Sequence, residues 1–337
     1  MSAASPASHD ALFWTLFIKI YYITKAGTSK SRYNVGMTKQ RVTKAVIAAA
    51  GFGTRFLPQT KAMPKEMLPL IDKPIIQYVV EELVDAGIRD IIIVGSSNKR
   101  SIEDHFDTPN EDLLANLRAG GSKKQPFIDK IEAVAELANF IYIRQKGPYG
   151  NATPLACASH LINPDEAFIY AFADDFIAAS PSRFKQMIEA YHMYGGGILS
   201  CKRATTDREY DMYGFAAGNT VANGVIDISS IIEKPGKHNA PSDLASVSSY
   251  LMPGTFLTYL EKAQETFIGD DEFKVQPIMQ AMINDGAHFY GCEIHNGTFY
   301  DTGDPLEYLK TVFDFGINDP ELGPLLREHL TNRLREK

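Results

Sequence analysis

Short apolar runs that end in glycine or aspartate constrain the fold of this chain most. The first run, residues 44–50 (KAVIAAA), leads directly into Gly51-Phe-Gly-Thr-Arg55. A strand that is apolar on both faces is typical of a parallel sheet with helices packed on both sides. Further strands of this kind are predicted at residues 90–95, 140–144, 167–172 and 197–202. The chain therefore contains several strands suited to the middle of one sheet.

Segments with helical spacing of apolar residues alternate with these strands. Such segments occupy residues 75–86, 102–106 and 182–194, and further helices are expected at 272–285 and 305–315. The alternation predicts an α/β fold with a Rossmann-like, doubly wound, mostly parallel sheet. The alternation is lost between residues 213 and 250, where short strands and turns predict a smaller, β-rich part. A polar, helical insertion is expected at residues 107–138.

The first 36 residues differ from the rest of the chain. Residues 11–23 are apolar and aromatic, but Lys19 interrupts them, and the run is shorter than the roughly 20 residues of a spanning helix. No basic region precedes it, as a secretory signal would require. We expect residues 1–36 to be dispensable, with Met37 as the true start. A peripheral membrane anchor and a loosely docked tail are the alternatives. Residues 37–337 are expected to form a single domain.

Composition excludes several classes of protein. A net charge of −7 argues against a protein that tracks nucleic-acid phosphates, which usually has a basic surface. Cys157, Cys201 and Cys292 lie far apart, so neither a disulfide framework nor a structural zinc site is expected. We therefore expect a cytoplasmic protein that binds no nucleic acid and no membrane. A homo-oligomer is compatible with the sequence.

The glycines after the first strand are suited to phosphate binding. Gly51 and Gly53 let the backbone curl closely around an anion, so that several N–H groups can point at it. Arg55 can add a forked, permanently charged donor. A tight structural turn would have the same short pattern, so these residues alone leave both interpretations open.

Asp174 lies two residues beyond Phe172, the last residue of the buried strand at 167–172. Ligands of open α/β sheets bind at the carboxyl ends of the strands, so a carboxylate here can reach a bound phosphate or cation. Capping of a helix is the structural alternative for Asp174, and Asp301 taken alone could be an ordinary loop residue.

A long segment carries a family resemblance. Residues 50–69 read AGFGTRFLPQTKAMPKEMLP, and residues 71–87 continue with IDKPIIQYVVEELVDAG. This closely resembles the signature of the bacterial UTP–glucose-1-phosphate uridylyltransferases, within the sugar nucleotidyltransferase family. The resemblance extends over residues 42–320, weakly at 107–138. It implies a nucleotide-binding part at about 42–205 and a sugar-phosphate-binding part, with C-terminal helices, at about 206–320.

The resemblance also implies roles for individual residues. Arg55, Lys65 and Lys234 would be the catalytic cations, and Asp174 and Asp301 would bind Mg²⁺. The sugar phosphate would be bound by Gly214, Glu233, Lys234 and Tyr250. The nucleotide would be bound by Ala50, Gly51, Gly53, Thr54, Lys65, Gln145 and Gly150. The Gln145 amide has both a donor and an acceptor, so it can pair with the edge of a pyrimidine.

Two stretches depart from the family pattern. The family commonly reads GLGHA where this chain has Gly150-Asn-Ala-Thr-Pro154, so Ala152 and Thr153 replace a glycine and a histidine. The family reads VGRY where this chain has Val247-Ser-Ser-Tyr250, so Ser248 and Ser249 replace a glycine and an arginine. Both departures concern expected contacts with the base or the sugar.

The implied activity is transfer of a uridylyl group from UTP to glucose 1-phosphate, giving UDP-glucose and pyrophosphate. Two alternatives stay open. One is a thymidylyl- or cytidylyltransferase that acts on a hexose 1-phosphate. The other is a non-catalytic regulatory relative, against which the joint presence of Arg55, Lys65, Asp174 and Asp301 counts.

Overall fold

The computed structural model describes residues 41–269 and 271–335. The N-terminal extension predicted at residues 1–36 lies outside the described residues. One compact unit spans residues 39–312, and the chain from Phe313 onward belongs to a second. The single domain expected at residues 37–337, and its division at about residue 205, stay predictions. None of the described helices is both long and apolar enough to cross a membrane.

The strands and α-helices of the described chain alternate over most of its length. The strands are β1 (Lys44–Ala49), β2 (Pro69–Leu70), β3 (Lys73–Pro74), β4 (Asp90–Gly95), β5 (Asn139–Arg144), β6 (Phe168–Phe172), β7 (Asp175–Ala179), β8 (Gly197–Arg203), β9 (Gly214–Ala222), β10 (Val225–Glu233), β11 (Leu244–Met252), β12 (Phe289–Glu293) and β13 (Gly297–Asp301). The helices are α1 (Ile75–Asp85), α2 (Arg100–Phe106), α3 (Glu111–Ala119), α4 (Gln125–Ala135), α5 (Thr153–Ala158), α6 (Arg183–Tyr194), α7 (Phe256–Thr266), α8 (Val275–Asn284), α9 (Pro305–Asn318) and α10 (Leu322–Arg335).

Nine strands of the described chain form one sheet in the order β5-β4-β1-β6-β11-β8-β12-β10-β9. The first four run parallel to one another. Strand β11 pairs antiparallel with both β6 and β8, and β9 and β10 form an antiparallel hairpin. The predicted α/β fold is thus confirmed, with a parallel half and a β-rich half. The carboxyl ends of β1, β4, β5 and β6 meet at one edge, where ligands of such sheets bind.

Burial of the central strands explains their composition. Ala45, Val46 and Ile47 of β1 are fully buried, because β4 and β6 flank this strand and apolar side chains cover both of its faces. In α1, the buried side chains recur at helical spacing from Ile75 and Ile76 through Val79 and Val80 to Leu83. Burial of apolar side chains such as these is the dominant favourable contribution to folding.

Several elements differ from their predictions. The helix expected from residue 272 begins at Val275. The segment between β1 and β2, for which no helical turn was predicted, contains 3₁₀ turns at Thr54–Phe56, Gln59–Lys61 and Lys65–Met67. Helix α5 was not predicted, because its sequence TPLACA has no polar face that would give a helical period. The strand pair β7–β13 was also missed, although it places Asp301 opposite Asp175.

Candidate active site

The loop after β1 folds back on Lys65. Gly53 adopts a left-handed conformation with φ of +64°, and the Thr60 hydroxyl donates a hydrogen bond of 2.7 Å to its carbonyl. A Cβ atom at Gly53 would lie 3.1 Å from Cβ of Lys65, so a larger residue would be both strained and crowded. A Cβ at Gly51 would lie 3.8 Å from the Lys65 amine. The exposed backbone of Gly51 and a cation are therefore side by side.

A buried ion pair holds this loop in place. The Lys99 amine donates to the Glu66 carboxylate at 2.7 Å and to the Gly51 carbonyl at 2.6 Å. The two side chains are only 3% and 1% exposed, so each charge depends on the other for compensation. Lys99 follows β4 and precedes α2, and thus it connects the carboxyl end of β4 to the glycine loop. No role was predicted for Lys99 from the sequence.

Lys65 itself forms an ion pair with Asp174, which follows β6. Burial alone would lower the pKa of the Lys65 amine, but the nearby carboxylates of Asp174 and Glu66 outweigh it and raise that pKa. Lys65 therefore stays charged, beside both Gly51 and Asp174.

Asp174 and Asp301 converge on Gly303. A Cβ atom at Gly303 would lie 2.8 Å from Oδ2 of Asp174 and 3.3 Å from Oδ1 of Asp301. Burial, and then the charge of Asp174, raise the pKa of the Asp301 carboxyl. Arg55 donates to the Gly303 carbonyl at 3.3 Å, so this cation lies at the same place. The structure thus brings together Arg55, Lys65 and both predicted metal ligands.

These two carboxylates suit a hard divalent cation only as part of a larger ligand set. Within residues 41–269 and 271–335, no three His, Cys, Asp or Glu side chains are grouped as a metal site. Mg²⁺ is commonly bound by one or two carboxylates together with substrate phosphates and water. The Asp174–Asp301 pair fits that arrangement, because both carboxylates face the cations that would meet a phosphate chain.

The loop after β5 lies across β4 from the glycine loop. The backbone N–H of Gln145 donates to the Gly95 carbonyl at 2.8 Å, which fixes Gln145 at the carboxyl edge. Gly150 has φ of +133°, and a Cβ there would lie 2.1 Å from the Phe273 carbonyl oxygen. The close approach of Phe273 therefore requires a glycine. The loop that carries Gln145 and Gly150, the two predicted base contacts, thus lies at the same carboxyl edge of the sheet as Gly51.

The residues predicted to bind the sugar phosphate lie at the end of the β9–β10 hairpin. Gly214 and Glu233 are paired in the ladder, and a Cβ at Gly214 would lie 2.8 Å from Oε1 of Glu233. The glycine therefore leaves room for this carboxylate. Lys234 has φ of +47°, a strained conformation for lysine, and its N–H donates to the Tyr213 carbonyl at 3.0 Å. Within the described part of the chain, the exposed Lys234 amine has no ion-pair partner.

Tyr250 is the predicted site residue whose position supports its role least. Its ring packs in the core, stacked on Tyr170 with centroids 6.2 Å apart and edge-on to Phe172. The side chain is 7% exposed. Its packing role is evident, and contact with a sugar stays a prediction.

Comparison with known proteins identifies the family. The model of the nucleotidyl transferase family matches residues 44–314. The chain belongs to the nucleotidyl transferase family. A Bacillus subtilis protein named UTP–glucose-1-phosphate uridylyltransferase YngB is 35% identical over 89% of this chain and 98% of its own length. A second B. subtilis protein named UTP–glucose-1-phosphate uridylyltransferase is 38% identical over 84% of this chain and 94% of its own.

Solved structures of other members have the same fold. A UDP-glucose pyrophosphorylase complexed with UDP-glucose superposes with a TM-score of 0.71 at 32% identity, over 82% of this chain and 98% of that one. The UTP-bound enzyme from Acinetobacter baumannii superposes with a TM-score of 0.75 at 29% identity, over 86% and 99% of the two chains.

The residues at the two departures from the family pattern are buried in this nucleotidyl transferase. Ala152 and Thr153 are 0% and 1% exposed at the start of α5, and the Thr153 hydroxyl donates to the Pro148 carbonyl at 2.7 Å. Thr153 therefore stabilises the loop that carries Gly150 rather than facing a ligand. Ser249 is likewise buried, and its hydroxyl lies 3.2 Å from that of Ser200.

Ser248 is part of a buried charge network that reaches Asp175, the residue after Asp174. It has φ of +74°, a region that favours glycine, and its hydroxyl accepts a hydrogen bond from Arg183. Arg183 is fully buried, contacts the Glu82 carboxylate at 2.8 Å and lies 3.8 Å from that of Asp175. Burial raises the pKa of Glu82 to about 7, against the attraction of Arg183. No role was predicted for Arg183 from the sequence, since an isolated arginine at the start of a helix resembles a surface residue.

We predict that Lys99→Met strongly destabilises the protein. The substitution keeps an unbranched side chain but leaves the buried Glu66 carboxylate without its partner, which typically costs about 3–5 kcal/mol. Urea unfolding of the variant and of wild type measures the difference. The matched control is Lys130→Met, which removes an exposed pair with Asp72 and should cost less than about 1 kcal/mol. Equal effects of the two substitutions would show that the Lys99–Glu66 pair has no special role.

Proposed function

We propose that this protein transfers the uridylyl group of UTP to glucose 1-phosphate, giving UDP-glucose and pyrophosphate. The observation that carries the proposal is the position of Lys65, whose amine lies beside the Gly51 backbone and contacts the Asp174 carboxylate. This arrangement would allow a triphosphate and a metal ion to bind next to each other. The names of the two B. subtilis relatives support the choice of nucleotide and sugar.

The reaction needs no general base and no covalent intermediate. A phosphate oxygen of glucose 1-phosphate is already an anion, so it can attack the α-phosphorus of UTP directly. The bond from that phosphorus to the bridging oxygen breaks in line, and pyrophosphate leaves with the electron pair. Catalysis then consists of alignment of the two substrates and stabilisation of charge on the phosphoryl group.

The nucleotide half of the site supplies the groups for the triphosphate. The backbone from Ala50 to Thr54 would cradle the phosphates, and Lys65 would neutralise charge on the attacked α-phosphoryl group. Arg55 would bind the departing pyrophosphate as a forked donor. The Gln145 amide and the Gly150 backbone would pair with the edge of the uracil.

Asp174 and Asp301 would hold Mg²⁺, the divalent cation that best suits two carboxylates combined with phosphate oxygens. When bound, the cation would neutralise charge on the phosphates and help to orient them. In the described structure Lys65 is the partner of Asp174. Lys65 would move its contact from Asp174 to the phosphate when the nucleotide binds, which would leave the Asp174 carboxylate available as a metal ligand.

The sugar half of the site is separate from these cations. Glu233 would accept hydrogen bonds from sugar hydroxyls, and Gly214 provides the space beside its carboxylate. Lys234 would bind the phosphate of the sugar, since its amine is exposed and its backbone is held in an unusual conformation. The strain at Lys234 is a local cost that is typical of functional positions.

The choice of base is tested by pyrophosphate release. With glucose 1-phosphate and Mg²⁺, we expect faster release from UTP than from dTTP, CTP, ATP or GTP, because the Gln145 amide and the Gly150 backbone would pair with the edge of the uracil. The measurement is initial rate with each triphosphate at equal concentration, repeated with other hexose 1-phosphates. Preference for dTTP would favour the thymidylyltransferase alternative, and preference for a purine would refute the base assignment.

Substitution of single charged residues tests whether the site is divided into a nucleotide half and a sugar half. Asp174→Asn should lower kcat by about 10²-fold, the scale for loss of one electrostatic stabiliser, because an amide cannot replace an anionic metal ligand. Lys65→Ala should mainly lower kcat/KM for UTP, whereas Lys234→Ala should mainly raise the KM for glucose 1-phosphate. Steady-state kinetics with each substrate varied in turn measures these effects. Loss of UTP affinity alone in both lysine variants would contradict two separate halves.

A further inference from the structure

Two exposed aromatic rings belong to the two loops that carry the proposed phosphate and base contacts. Phe52 belongs to the glycine loop after β1, and Tyr149 directly precedes Gly150 in the loop after β5. Their ring centroids are 6.3 Å apart, with an angle of 61° between the ring planes. Strand β4 lies between β1 and β5 in the sheet, so the two rings meet above the carboxyl end of β4. Neither ring was assigned a role in the sequence analysis.

The backbones that carry these rings are held, whereas the rings themselves are exposed. Phe52 lies between Gly51, whose carbonyl is bound by Lys99, and Gly53, whose carbonyl is bound by Thr60. The Tyr149 carbonyl accepts a hydrogen bond of 2.7 Å from the Phe273 N–H. Phe52 is 53% exposed and Tyr149 is 71% exposed. The rings can therefore rotate about their side-chain bonds while the loops stay in place.

Core packing does not explain this exposure. Large aromatic side chains contribute to stability mainly when they are buried, and here most of the tyrosine ring is in contact with solvent. Each ring also adjoins a glycine that the site requires, Gly51 or Gly53 for the phosphates and Gly150 for the base. Two exposed aromatic rings, one on each of the loops that carry the proposed phosphate and base contacts, are suited to contact with the flat face of a nucleobase.

We propose that Phe52 and Tyr149 form an aromatic clamp that closes on the face of the bound base. This inference rests on the proposed function, since it concerns the nucleotide of the same reaction. The clamp contacts the face of the ring, whereas Gln145 and Gly150 contact its edge. All bases have an aromatic face, so the clamp contributes affinity without selecting the base. The edge contacts then carry the choice among nucleotides.

The test compares UTP with a ligand that has the phosphates but no base. Binding of UTP and of inorganic tripolyphosphate is measured by calorimetry for wild type, Tyr149→Ala, Tyr149→Phe and Phe52→Ala. We expect each alanine variant to bind UTP about 10-fold more weakly, on the scale of one base–aromatic contact, with unchanged affinity for tripolyphosphate. Tyr149→Phe should bind UTP like wild type, because it keeps the ring. The KM for UTP should rise by the same factor, while kcat stays within about threefold.

Phe127→Ala is the matched control, since it removes another exposed aromatic, 54% exposed on α4. It should leave UTP binding unchanged. Equal loss of UTP and tripolyphosphate affinity in Tyr149→Ala and Phe52→Ala would show that the substitutions damage the phosphate loop. UTP affinity within twofold of wild type in both of these variants would show that the rings do not contact the base. Either result overturns the clamp. If Tyr149→Ala does not fold, as judged by its melting temperature, Tyr149→Leu and Phe52→Ala decide the question.

Failure of the clamp is distinguishable from failure of the proposed function. If wild type binds and uses UTP but the ring variants bind it equally well, the clamp is wrong and the uridylyl transfer stands. If wild type uses a different triphosphate, the same titration is carried out with that nucleotide. A loss of about 10-fold in Tyr149→Ala would then support the clamp independently of base choice, because stacking on an aromatic side chain is tolerant of the base.

Discussion

The position of one buried amine fixes the geometry of this site. Lys99 follows β4, and its amine contacts both the Glu66 carboxylate and the Gly51 carbonyl. A buried charge is tolerated only when it is paired and hydrogen-bonded, so these partners cannot separate without a large cost. Glu66 is adjacent to Lys65, and Gly51 begins the phosphate loop. The pair therefore sets the distance between the loop and the cation that the reaction requires.

Charge compensation extends from this pair across the sheet edge. Lys65 compensates Asp174, and Arg55 lies beside Asp301, while Arg183 is buried behind them against Glu82. The cations do not fully compensate the carboxylates, since burial and the charge of Asp174 raise the pKa of Asp301. An edge with unbalanced carboxylates and adjacent cations is suited to a divalent cation together with a polyanion. The same charges would be costly without these ligands, which is a common property of active sites.

The sequence predicted the parallel half of the sheet because burial on both faces of β1 and β4 requires continuous apolar runs. It also predicted Asp174 at a strand end, and the family resemblance identified the segment of Lys65. The sequence could not predict α5, because a short apolar run such as TPLACA is equally compatible with a buried strand and a buried helix. Lys99 and Arg183 were missed because a lysine or arginine in sequence resembles a surface residue. Their burial depends on carboxylates that are 33 and 101 residues distant in the chain.

The central claim is that this site aligns two bound substrates for one direct displacement. The stereochemical course at the α-phosphorus tests it most directly. UTP with a single sulfur of known configuration on the α-phosphate is converted with glucose 1-phosphate, and the configuration of the product is determined by ³¹P NMR. Direct in-line attack by the sugar phosphate predicts inversion. Retention would require two displacements through a covalent enzyme intermediate, and would contradict a site in which Lys65, Arg55 and Asp174 act only on charge and position.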